Sequence, residues 1–190
     1  MTRGLRWRIV SLQIIVVLVL GFCAGFAFWG NGFINGMVHD QLASQKISFP
    51  PASEIRAGGA LDPAEFPAEI RNYAGQQVDN GDKARVYAND FIGIHLEKVA
   101  NGQTYSQVSA ASQADPKNTA LQNQANTLFK GETLRGLLLY AWGWSQVALY
   151  LLYAAIGLTV AAIVVLATLA FEVLVAPRTA RATRPQPVPA

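Results

Sequence analysis

Residues 131–171 read GETLRGLLLYAWGWSQVALYLLYAAIGLTVAAIVVLATLAF, and no charged side chain occurs between Arg135 and Glu172. A run that long without charge belongs in lipid or in a protein interior, because a charge at mid-bilayer costs roughly 2.5–3.5 kcal/mol on insertion scales. As one helix, Gly136 to Phe171 would be about 52 Å long, well beyond the roughly 30 Å of a hydrocarbon core. The aromatic residues account for the surplus. Tyr140, Trp142, Trp144, Tyr150 and Tyr153 cluster in its first half, as an interfacial belt does. The crossing itself is then expected at about 148–171, inside a long helix over 136–175.

A second uncharged run, Ile9 to Val38, follows a basic start at residues 1–8. Twenty residues, Ile9 to Phe28, suffice to cross the hydrocarbon, and the first transmembrane helix is placed at 9–34. A basic start and an apolar run also describe a signal peptide. Against cleavage, the run exceeds the usual apolar region of about 7–15 residues. It also continues into Phe26, Phe28, Trp29 and Phe33, and Phe22 stands before Cys23 where a lipoprotein box needs a small residue. An uncleaved span is expected. Cys23, the single cysteine, excludes an internal disulfide and a multi-cysteine metal site. Gly21 and Gly25 lie four apart in this span, and Gly157 and Ala161 lie four apart in the other. Such spacing puts small residues on one helix face, so these four are the candidate helix-packing residues, the first pair meeting the second.

The charges give the threading. Nine basic and eleven acidic residues lie between the spans, while the other six basic residues are arginines at the two ends. Cytoplasmic segments carry the Lys/Arg excess. Both termini are therefore expected in the cytoplasm, and residues 35–135 outside it, in a multi-pass protein of the plasma membrane. Charged residues make up only 14% of the chain, against about 25% in a soluble domain. A pI near 9.2 raises nucleic acid as a partner, but no basic patch with interleaved aromatics is present, so none is expected.

Residues 35–135 read as a small, mostly helical insert. Asn35–Gly81 has little periodicity and is punctuated by Pro50, Pro51, Gly58, Gly59, Pro63 and Pro67. Asp62-Pro63 predicts the start of a short helix running towards Asn72. Asp79 or Asn80 is expected to cap a helix that Asn101-Gly102 stops, with Ala84, Ala88, Phe91, His95 and Val99 on one apolar face. Thr104 and Gln107 are spaced as a capping box. Asp115-Pro116 predicts a further helix ending at Gly131. Past Pro177 the Pro-rich tail, 176–190, is expected to be disordered.

Catalytic or cofactor chemistry is not indicated. His39 and His95 are the only histidines, and a zinc or non-haem iron site needs two or three with a carboxylate. Glu97, two residues from His95, does not share its helix face. No phosphate loop, HExxH or nucleophile elbow occurs, so no enzyme activity and no cofactor are expected. Glu132 and Arg135, three apart, can pair at the start of the apolar helix. With Trp142 and Trp144 they are the candidate contacts to a partner or a lipid head group.

The segments Asp82–Ala88, Phe91–Leu96, Gly102–Tyr105 and especially Leu128–Trp144, with its Phe-Lys-Gly-Glu-Thr-Leu-Arg-Gly-Leu-Leu-Leu core, resemble a group of uncharacterised two-span membrane proteins of actinobacteria. Some members of that group bear the name aromatic-ring-opening dioxygenase, but His39 and His95 supply no recognisable iron triad. The expectation is an all-α membrane protein with two transmembrane helices and a small helical extracytoplasmic insert. Its expected role is accessory or structural, in the lipid bilayer, contacting another membrane protein or a second copy of itself. The alternative is an envelope module that binds a lipid or small ligand in the groove beside Trp142 and Trp144.

Overall fold

The computed structural model describes residues 3–175. The architecture is all-α, with two long apolar helices and shorter helices between them. Helix α1 runs Arg3–Ser44. After a 3₁₀ turn, Ala52–Glu54, come α2 (Ala68–Arg71), α3 (Gly81–Val86), a π-helix (Tyr87–Gly93), α4 (Ile94–Ala100) and α5 (Tyr105–Ala114). Helix α6 runs Thr119–Ala170 and ends in a π turn, Phe171–Val175. The tail expected to be disordered, 176–190, lies outside the described residues.

Helices α1 and α6 are long and apolar enough to cross a membrane. Their most apolar stretches have mean hydropathies of 2.6 and 2.5, and only 11% of each stretch is buried. A core helix of a soluble protein would be mostly buried; these two turn apolar surface outwards.

The chain forms two compact units. Among the described residues, the first joins residues 3–32 to 149–175. In it α1 and α6 run antiparallel: Arg6 Nη2 donates to the Glu172 carbonyl at 2.6 Å, and Gln13 Nε2 donates to Thr168 Oγ1 at 3.4 Å. Val10, Ala24 and Ala27 on α1 and Ala155 on α6 are buried. With the half-buried Gln13, Val17 and Leu20, the covered positions of α1 recur at spacings of three and four, the pattern of a coiled-coil seam. Gly21, Gly25 and Gly157 are off that seam, and a Cβ on any of them would meet nothing within 4 Å. The expected meeting of these glycines is thus not formed. Residues 21 and 25 are each rotated about 100° from the covered positions 20 and 24. Ala161 is half-buried. The glycine that does admit a neighbour is Gly30, whose Cβ would sit 3.2 Å from Leu151 Cδ1. Cys23 is exposed on the surface of α1.

The second unit is Phe33–Ala148. Its core contains Phe49, Leu61, Phe66, Ile70, Val78, Val86, Val108, Leu128 and Leu138. A run of rings crosses it: Tyr73 on Phe49, Phe49 against Tyr87, Tyr87 against Phe91, and Phe91 against both Phe66 and His95. The irregular stretch 45–80 is held by local bonds. Phe49 N–H donates to Gln76 at 2.9 Å and Val78 N–H to Ile47 at 2.8 Å, so the loop closes on itself. The Gln77 amide caps α1 by donating to the Ala43 carbonyl at 2.8 Å.

Several boundaries differ from expectation for identifiable reasons. Helix α1 does not give way near residue 34. It continues to Ser44 because Ile34, Val38 and Leu42 extend its buried stripe. Asp62-Pro63 opens a turn rather than a helix, the Asp62 carboxylate accepting from Gly58 and Ala64 N–H at 2.6 and 2.9 Å; helix α2 begins only after Pro67. Helix α6 begins at Thr119, capped by Asn118 Oδ1, which accepts from Leu121 N–H at 3.2 Å. It runs unbroken through Gly131 and Gly143. Gly131 is no terminator: a Cβ there would lie 2.4 Å from Leu96 Cδ2, so its bare backbone is what lets Leu96 pack. Helix α5 starts as predicted, with the reciprocal Thr104–Gln107 capping bonds formed, and α4 ends at Asn101 in the left-handed region.

Candidate functional site

The π-helix decides which side chains gather. Buried residues recur at Ala84, Ala88, Ile92, Leu96 and Ala100, a strict spacing of four. A regular helix of 3.6 residues per turn would rotate that series off the core, and the wider i→i+5 turn of Tyr87–Gly93 keeps it facing inward. The predicted face is corrected accordingly: His95 and Val99 are exposed, while Ile92 and Leu96 are buried.

The same π-helix presents Asn89 and Gly93 to α6. Arg135 Nη2 donates to Asn89 Oδ1 at 3.2 Å and Nη1 to Glu132 Oε2 at 3.4 Å. Gly93 has room for the guanidinium, since a Cβ there would be 3.6 Å from Arg135 Nε. That Nε is buried without a partner. The predicted pair Glu132–Arg135 is therefore formed, and it lines an open cleft of about 640 Å³ with Asn89, Glu97, Thr104 and Tyr105. Asn89 was not legible as a site residue, because only the π turn aims it at Arg135.

Trp142 and Trp144, paired in the sequence reading, face different ways, as residues two apart on a helix must. Trp144 lines an apolar groove of about 700 Å³ with Phe33, Met37, Leu134, Leu137 and Tyr140. The rings of Tyr140 and Trp144 meet edge-on at 6.1 Å. Trp142 instead backs onto the start of α3, where a Cβ on Gly81 would lie 3.4 Å from its Cα.

Charge outside the two spans is arranged locally. Arg85 pairs with Glu69, and Lys98 pairs with Glu65 while lying 5.3 Å above the Phe66 ring. Asp90 titrates above the usual carboxylate range because it is partly buried and Glu69 is near, with Arg85 opposing. Asp62 titrates below it because Gly58 and Ala64 N–H groups hold the carboxylate. Burial pushes the Tyr87 phenol up. Among the described residues, no three His, Cys, Asp or Glu side chains gather to hold a metal ion. His39 and His95 each direct Nδ1 to a backbone carbonyl, of Asp79 at 3.0 Å and Phe91 at 2.8 Å. No family model, no curated protein and no solved structure matches this chain.

Proposed function

We propose that this chain is a non-enzymatic, two-span protein of the plasma membrane that acts as an accessory or structural partner of another membrane protein, or of a second copy of itself. Its termini lie in the cytoplasm, following the arginines at both ends, and residues 35–135 lie on the outer side. The observation that carries the reading is the apolar groove walled by Phe33, Met37, Leu137, Tyr140 and Trp144. Its walls are helical and its floor is apolar, the form in which one helix receives the apolar face of another.

The test is a pull-down from membranes in mild detergent with a tag on the C-terminus. The expected result is a stoichiometric membrane partner, or a homo-oligomer, that is lost in Leu137→Asp. A clean monomer with no partner sinks the reading. The groove itself favours one second reading, an envelope module holding a lipid acyl chain, since Leu134, Leu137 and Trp144 suit a tail as well as a helix. Lipid that copurifies with the wild type and not with Leu137→Asp would select it.

A further inference from the structure

We infer that the groove between α5 and the first turns of α6 is a binding site for a neutral saccharide. The inference is independent of the accessory role and of which way the chain is threaded. The groove holds about 360 Å³ and is lined by Tyr105, Ser109, Ser112 and Gln113 from α5, and by Gln122, Asn126 and Phe129 from α6. Two properties of this lining point to one ligand class.

The first is the absence of charge. No Asp, Glu, Lys or Arg lines the groove. Ligands recognised through phosphate, carboxylate or ammonium groups would find no counter-charge. Instead the wall is built of hydroxyls and carboxamides. Each of these offers both a donor and an acceptor, the match for sugar hydroxyls, which are likewise both. Part of the set is already oriented. Gln113 Nε2 donates to Ser109 Oγ at 3.3 Å, and Gln122 Nε2 donates to the Pro116 carbonyl at 2.6 Å.

The second is the aromatic end. Tyr105 and Phe129 meet with ring centroids 5.7 Å apart. Yet they are 38% and 55% exposed, so neither ring is spent on the core. An exposed ring beside hydroxyl and amide groups offers an electron-rich face to the C–H face of a pyranose while the polar wall takes its hydroxyls. The sequence hides this site because the residues are ordinary helix-surface types. Only the hairpin turn at Asp115–Asn118 brings 105–113 opposite 122–129.

The experiment is saturation-transfer NMR on the full chain in a detergent without a sugar head group, with cellotetraose, chitotetraose and mannotetraose as probes. The expected result is transfer to ring protons of at least one probe, weakened about tenfold by Phe129→Ala, the scale of one lost aromatic contact, and retained by Phe129→Tyr. Asn126→Leu, which keeps the bulk and removes the amide, is expected to abolish it with the helix content unchanged. No transfer from any probe, or equal transfer in all variants, overturns the inference. So does a neutral tetrapeptide that binds where the saccharides do not.

Discussion

At the scale of single residues, the glycines of α6 separate conformational cost from packing. Gly136 has nothing within 4 Å of its Cβ position, while Gly131 has Leu96 at 2.4 Å. Gly136→Ala is expected to stabilise by about 0.5–1 kcal/mol, the helix-interior difference between the two residues. Gly131→Ala gains the same propensity but must displace buried Leu96, and overpacking of that kind typically costs 1–3 kcal/mol. The two variants should therefore shift the melting temperature in detergent in opposite directions, by roughly 2–4 °C per kcal/mol. Shifts of the same sign would show that Leu96 yields freely. The seam between α1 and α6 makes the same point in the first unit. Gly30→Val, against Leu151, should destabilise the pair, whereas Gly21→Ala and Gly25→Ala should not. Four-residue spacing made the latter glycines conspicuous in the sequence. Only the rotation of α1 about its axis, set by Val10, Ala24 and Ala27, tells which glycine is covered.

At the scale of elements, two carboxylates report on the second unit with opposite sign. The folded state lowers the Asp62 titration, so its contribution is present above the ordinary carboxylate pKa and is lost as pH falls through the depressed one. It raises that of Asp90, so ionised Asp90 opposes folding at neutral pH, and that opposition is relieved as pH falls through the raised value. Asp62→Asn should lower the melting temperature at pH 7, and Asp90→Asn should raise it. Both differences from wild type should shrink in acid, which a melt series between neutral pH and the carboxylate range measures. The capping box is a simpler case. Thr104→Ala is expected to cost about 1 kcal/mol, visible as faster amide exchange in the first turn of α5. That box and the stop at Asn101 were readable because each is a local exchange of backbone and side-chain bonds. The reach of α1 to Ser44 and of α6 back to Thr119 was not, since both depend on contacts such as Val38, Leu42 and Leu128 make across the second unit.

At the scale of the whole molecule, the class of fold was written in two uncharged runs and the charge between them, and the two long apolar helices agree with it. The groove and the Arg135 cleft were written more faintly. Glu132 and Arg135 stood out as a pair three residues apart, but Asn89, forty-six residues away, joins them only through the second unit's fold. The proposed threading has a direct check. In a Cys23→Ala background, a cysteine at Ser112 should react with a membrane-impermeant maleimide on intact cells, and one at Arg8 should not. The reverse pattern overturns the orientation.

The π-helix at Tyr87–Gly93 has a genetic consequence. A wide turn of this kind is a regular helix carrying one residue too many. An in-frame loss of a single codon within that stretch should let the helix close as an ordinary α-helix, with Ile92, Leu96 and Ala100 still inward. The fold would survive and the Asn89–Arg135 bond would not. Such a deletion would part the two roles of this segment, the scaffold from the cleft it shapes.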